Sequence, residues 1–171
     1  GYHTYRIPSI TATSGGVLIA MAEAARDGTY DAGGGDIDLV YKTSADGGAT
    51  WSPVKVLDNP GSGWSVSNPT TVVDRDTGRT WVFFNRWEPG FGSKLSQPGT
   101  SNNQTWTCYS DDDGLTWSEP RDITKDARDY DNWGCMFLGP GSGIQLQSGR
   151  LVIPAARKEG GTTSLAEMRS Y

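Results

Sequence analysis

Histidine is almost missing from this chain: His3 is the only one, and there are just two cysteines, Cys108 and Cys135. With one histidine, a Ser-His-Asp or Cys-His catalytic group is hard to build from these 171 residues. The cysteines do not form a C-x-x-C pair and have no histidine beside them, which argues against a zinc site. Two buried free thiols are expected, with a disulfide as the alternative that geometry would decide. Positive charge is also scarce. The net charge is −5 and no basic run occurs, which excludes nucleic acid and anionic membrane surfaces as expected partners. No apolar run approaches the roughly 20 residues of a transmembrane helix. Nothing at the start reads as a signal peptide. The long Leu/Ala/Glu/Lys periodicity of helices is absent too.

What remains is glycine, proline and tryptophan, with 23, 9 and 7 residues respectively. That mixture predicts short strands joined by tight turns, an all-β chain. One turn pattern occurs twice: Ser44–Trp51 reads SADGGATW and Ser110–Trp117 reads SDDDGLTW, both S-x-D-x-G-x-T-W. Each follows a strand-like run, DIDLVYKT or QTWTCY, and precedes another, SPVKVLD or SEPRDIT. Each is therefore expected to be a β-hairpin turn. Its aspartate would accept backbone N–H groups and its tryptophan would fold back as a local core. A second pattern recurs in step. Runs beginning at Gly15, Gly78 and Gly149 (GGVLIAMAEA, GRTWVFFNRW, GRLVIPAARK) read as one strand of three successive units. About four strands per unit suits a propeller blade. By this phase the third turn would begin shortly after Tyr171, with SLAEMRSY as the strand leading into it.

Tyr5-Arg6-Ile7-Pro8, followed by two S-x-D-x-G-x-T-W boxes, resembles the sialidases (exo-α-sialidases, neuraminidases), whose marks are an F/Y-R-I-P motif and repeated Asp boxes. LIAMAEAAR, NPTTVVDRDTG, GPGSGIQL and GRLVIPA extend the resemblance over nearly the whole chain. It implies a six-bladed β-propeller. Residues 1–171 would be roughly its first half, a single domain cut inside the third blade.

The resemblance also implies roles for particular residues. A carboxylated sugar calls for a planar bidentate donor, which guanidinium supplies. Arg6 matches one of three family arginines that clamp this carboxylate, with Pro8 fixing the chain as it leaves the pocket. The family's acid/base aspartate lies six residues beyond an arginine in an acidic-x-Arg motif. Counting from Glu23 puts Ala25 at that arginine position and Asp31 at the acid/base position. Arg26 either takes over by a small shift or the contact is missing. Asp27, Asp36 and Asp38 are rivals to Asp31. Asp27 falls too early, and Asp36 and Asp38 lead into the next strand and read as structural. Gly33–Gly35 would let the loop fold over a ligand, and no EF-hand spacing is present. Asn68, before Pro69, corresponds to a residue near the sugar's 4-hydroxyl, with a plain turn residue as the alternative. Trp87, in NRWEPGFG, would line the pocket or else pack in the core. Asp46, Asp112, Trp51 and Trp117 are assigned to folding.

The expected function is hydrolysis of terminal α-linked sialic acid from glycans by a retaining mechanism, with no cofactor or metal. The nucleophilic tyrosine, its glutamate and the other two clamp arginines match nothing in these residues, so the isolated segment is expected to be inactive. The alternatives are an Asp-box propeller that binds glycan or protein without cleaving, and a glycosidase for a neutral polysaccharide. A glycan substrate outside the cell makes a secreted, periplasmic or cell-surface location the expectation.

Overall fold

The computed structural model describes residues 1–159 and the backbone of 162–164. It is built from antiparallel units, the first two of them four-stranded. In the first, β1 (Thr4–Ala12), β2 (Leu18–Ala25), β3 (Ile37–Ser44) and β4 (Lys55–Asp58) follow one another as a meander. The second repeats it with β5 (Ser65–Val73), β6 (Thr80–Trp87), β7 (Asn103–Ser110) and β8 (Arg121–Asp122). The third has an interrupted first strand, β9 (Trp133–Leu138), β10 (Gly141–Ser142) and β11 (Ile144–Gln145). Its second strand is split at Pro154 into β12 (Leu151–Val152) and β13 (Ala155–Glu159), and β14 (Thr162–Ser164) pairs with β13. The three glycine-led runs of the sequence form the second strand of each unit. Apart from Ser164, the stretch SLAEMRSY and the expected third box lie outside the described residues. Among the described residues no helix is long and apolar enough to cross a membrane.

These units are propeller blades, with their first strands gathered side by side. β10 pairs in parallel with β5 through Gly141↔Thr70 and Ser142↔Thr71. Ser9 of β1 donates its hydroxyl to the Gly141 carbonyl at 2.7 Å, so three inner strands meet there. Blades pack face to face through apolar side chains. Ile19, Met21, Leu39 and Tyr41 of the first blade bury Val66, Val82, Phe84 and Cys108 of the second. Val72 of the second meets Trp133, Met136, Leu138 and Ile153 of the third. Burial at about 25 cal/mol per Å² is what holds such layers together. A buried ion pair adds direction: Arg86 grips both oxygens of Asp58 (2.8 and 2.5 Å) and lies over the Trp106 ring, joining blades one and two. Both cysteines are buried and free.

Both predicted box turns are hairpins, between β3 and β4 and between β7 and β8. Asp46 Oδ1 accepts the Thr50 N–H (2.9 Å) and the Ser44 hydroxyl (2.7 Å), and its Oδ2 accepts the Thr50 hydroxyl (2.6 Å). Asp112 repeats these bonds with Thr116 and Ser110. Beyond the second box the sequence predicts a strand, but only Arg121–Asp122 pair. Pro120 cannot donate to a ladder, and Asp122 then accepts the Thr124 N–H and hydroxyl, turning the chain into the short helix α1 (Thr124–Ala127).

The inner strands carry one irregularity in common. In β1 the pairing with β2 slips between Arg6 and Ser9, and Ile7 sits at φ 50°. In β5 the pairing slips between Ser67 and Thr70, and Asn68 sits at φ 55°. Pro8 and Pro69 thus do not end their strands. Each lacks an N–H, and the ladder bulges around it. A β-branched residue at positive φ is strained, and Ile7 stays there only because both flanking segments are paired.

Candidate functional site

Arg6, Glu23 and the 26–36 loop lie together at one end of β2 and β3. The box turn of the same blade closes the opposite end of β3. Arg6 stands opposite Glu23 in the β1–β2 ladder. Its guanidinium is about one-third exposed, donates Nη1 to the Tyr30 carbonyl at 2.6 Å, and places Nη2 3.6 Å from Asp31 Oδ1. Asp31 is open, with its side chain 84% accessible, and Oδ1 also accepts the Ala32 N–H at 2.9 Å. The fold therefore brings the two principal predicted residues together on the surface.

The 26–36 loop is fixed from the second blade. Ser65 Oγ accepts the Gly33 N–H (2.9 Å) and donates to the Gly35 carbonyl (2.7 Å). Gly33 has φ 82°, and a Cβ there would come within 2.5 Å of the Phe91 carbonyl oxygen. Only glycine permits that approach. Its freedom serves close packing of two loops, whereas the sequence suggested a flap over a ligand.

Arg26 is held elsewhere. Its Nη2 donates to the buried Asp38 Oδ2 at 2.6 Å, and Nε is 3.5 Å from Asp36. Tyr2 donates its hydroxyl to the same Asp38 oxygen at 2.5 Å, with Arg26 over its ring. Burial, and then the Asp38 bond, push the Tyr2 hydroxyl up to about 12. Asp36 and Asp38 are thus the partners of Arg26, and this cluster ties the start of the chain to β3.

Trp87 requires a correction. It is the last residue of β6, not a loop residue, and is only 2% exposed. Its indole N–H donates to Ser67 at 2.7 Å, so it packs in the interior and does not line an open pocket. Asn68 is a bridge. Its backbone N–H donates to Glu23 Oε1 (2.9 Å) and its Nδ2 to the Leu138 carbonyl (2.9 Å), leaving Oδ1 to offer a ligand.

The sequence reading left Glu23 without a role. It is 2% exposed, and its Oε2 is buried with no hydrogen-bond partner. Burial raises its pKa to about 7, although the Asn68 N–H and the Arg6 cation pull the other way. A lone carboxylate inside an apolar second strand (LIAMAEAA) was the available signal. At the other end of the blade, the Thr50 bonds hold Asp46 down at about 2, and Thr116 does the same for Asp112. Among the described residues no cluster of His, Cys, Asp and Glu is placed to hold a metal ion. The arrangement at Arg6 can bind an anion through a partly exposed guanidinium, with an exposed carboxyl beside it to move a proton.

Comparison with known proteins bears on the family and the fold. The family model of the BNR repeat-like domain matches residues 7–170. An exo-alpha-sialidase of Aspergillus fumigatus is 38% identical across 91% of the chain, which spans 42% of that protein. A solved Hadza microbial sialidase superposes with a TM-score of 0.84 at 31% identity, over 92% of this chain and 33% of that one. A Trypanosoma rangeli sialidase in complex with sialic acid shares the fold, with a TM-score of 0.75 at 21% identity over 92% of this chain and 27% of its own.

Proposed function

Because the chain belongs to the sialidase family of BNR-repeat propellers, we propose that it forms the Arg6–Asp31 part of an exo-α-sialidase site, in a single propeller domain of which residues 1–171 are roughly the first half. The chain spans about two fifths of the Aspergillus fumigatus exo-alpha-sialidase, so the activity is inferred for the whole protein. What carries the reading is one contact: the partly exposed Arg6 guanidinium lies 3.6 Å from the exposed Asp31 carboxylate. Arg6 receives the carboxylate of a terminal α-linked sialic acid. Its guanidinium offers two parallel N–H donors, and the ligand displaces or joins the Tyr30 carbonyl.

Asp31 hands its proton to the departing glycosidic oxygen, and later accepts one from the water that frees the sugar. A covalent intermediate on a tyrosine assisted by a glutamate gives retention of configuration. A neutral nucleophile avoids setting a second carboxylate against that of the substrate. These two residues and two further arginines match none of the 171 positions, so this segment alone is expected to be inactive. Substrates are sialylated glycoproteins, glycolipids and oligosaccharides. The test is release of 4-methylumbelliferone from its α-sialoside by the full-length protein, by Arg6→Ala and by Asp31→Ala. Absence of hydrolysis by the wild type overturns the enzyme reading, and unaltered rates in both variants overturn the site.

A further inference from the structure

Glu23 sits at the centre of this end of the blade, yet nothing in the proposed chemistry uses it. Its two oxygens are treated differently. Oε1 accepts the Asn68 N–H from the neighbouring blade, whereas Oε2 is sealed from solvent with no donor facing it. A glutamate kept only to brace two blades would have both oxygens bonded, because an unmet buried acceptor costs stability. A proton on Oε2 removes the larger cost, that of burying a negative charge. Among the described residues, the charged groups acting on it are Arg6 from β1, which favours the anion, and Asp31 from the loop, which disfavours it. β3 sets Leu39 opposite it in register, and β5 contributes the uncharged Asn68 amide.

An anionic ligand on Arg6 changes this balance. It neutralises the Arg6 cation and adds a negative charge beside a buried carboxylate. We propose that Glu23 is a positioning residue that couples anion binding to proton uptake: its Oε1 fixes the Asn68 bulge, and its Oε2 takes a proton when a carboxylate ligand occupies Arg6. The ligand then enters a site whose net charge is unchanged, and its affinity rises as pH falls through the neutral range. The ligand half of this statement rests on the sialidase reading. The Arg6–Glu23 coupling does not.

Two measurements on the full-length protein separate these. The first uses carbon-detected NMR of glutamate carboxyls without ligand. The Glu23 midpoint is expected well above that of an ordinary glutamate, and Arg6→Met is expected to raise it by about one unit or more. An ordinary midpoint, or one unmoved by Arg6→Met, overturns the proposal. The second is calorimetry with N-acetylneuraminic acid at pH 7 in phosphate and in Tris. The wild type is expected to take up about half a proton per ligand bound, because Glu23 titrates close to that pH. Glu23→Gln, which keeps the acceptor for Asn68, is expected to take up none. Equal uptake by both proteins overturns the coupling. If N-acetylneuraminic acid does not bind the wild type at all, the sialidase reading fails and the NMR measurement alone decides the role of Glu23.

Discussion

The two ends of the first blade treat their carboxylates in opposite ways. At the box end, Asp46 has its serine, threonine and backbone partners within its own turn, and its pKa falls to about 2. At the other end, Glu23 is buried with one oxygen unmet and its pKa rises to about 7. Arg6 and Asp31 lie open beside it, and Ile7 is strained. The box spends its polar groups on folding. The site end withholds them, and groups left unsatisfied or exposed are the ones a ligand can use.

The sharpest way to break this contrast is to delete function at one end. Asp31→Asn and Arg6→Ala are each expected to lower kcat/KM for a sialoside by about 10²–10⁴-fold. Asp31 is 84% accessible, so Asp31→Asn should barely move the thermal midpoint, and a large loss of stability there would show that it braces the fold.

The reverse experiment strikes the box end. Trp117 packs edge-on against Tyr41 of the first blade at 5.8 Å, whereas Trp51 of the other box is 37% exposed. Trp117→Ala is expected to cost about 3 kcal/mol in urea unfolding, and Trp51→Ala less than about 1 kcal/mol. Equal costs would mean that box tryptophans stabilise only their own turns.

The pH dependence divides the ends by sign. Glu23 has a raised folded pKa, so its share of stability is full below about 4.5 and is lost as pH rises through about 7. That loss amounts to about 3 kcal/mol, and Glu23→Gln is expected to abolish it. Asp46 and Asp112 have depressed values. Their contribution is present above the ordinary carboxylate range and disappears as pH falls through about 2. Asp46→Ala should therefore flatten the acid limb of a melting-temperature profile while leaving the neutral range between pH 6 and 8 unchanged in slope. This is the smallest of the expected effects, because the turn is exposed.

The same contrast explains what could be read from the sequence. The box is legible because every partner of Asp46 lies within a few residues of it. Arg6 and Asp31 are legible through a motif and a spacing. Trp87 is misplaced because Pro89 and Gly90 suggest a loop, yet β6 runs on to Trp87 and buries it against Ser67. Glu23 is opaque for a different reason. Its character is set by an amide 45 residues away and by burial between blades, and neither leaves a mark on neighbouring letters.

Asn68 has a consequence for how the molecule comes together. One residue reaches back 45 positions to Glu23 and forward 70 positions to Leu138, while each box closes over four. Chain closure over such distances is slow, and it is repaid only once whole blades exist. The hairpins are therefore expected to form early and the Asn68 contacts late. In pulsed hydrogen exchange during refolding, the Thr50 and Thr116 amides should gain protection before that of Asn68. A chain with its blades in the wrong places would keep its turns and lose its site, so that ligand binding at Arg6 reports on completed folding.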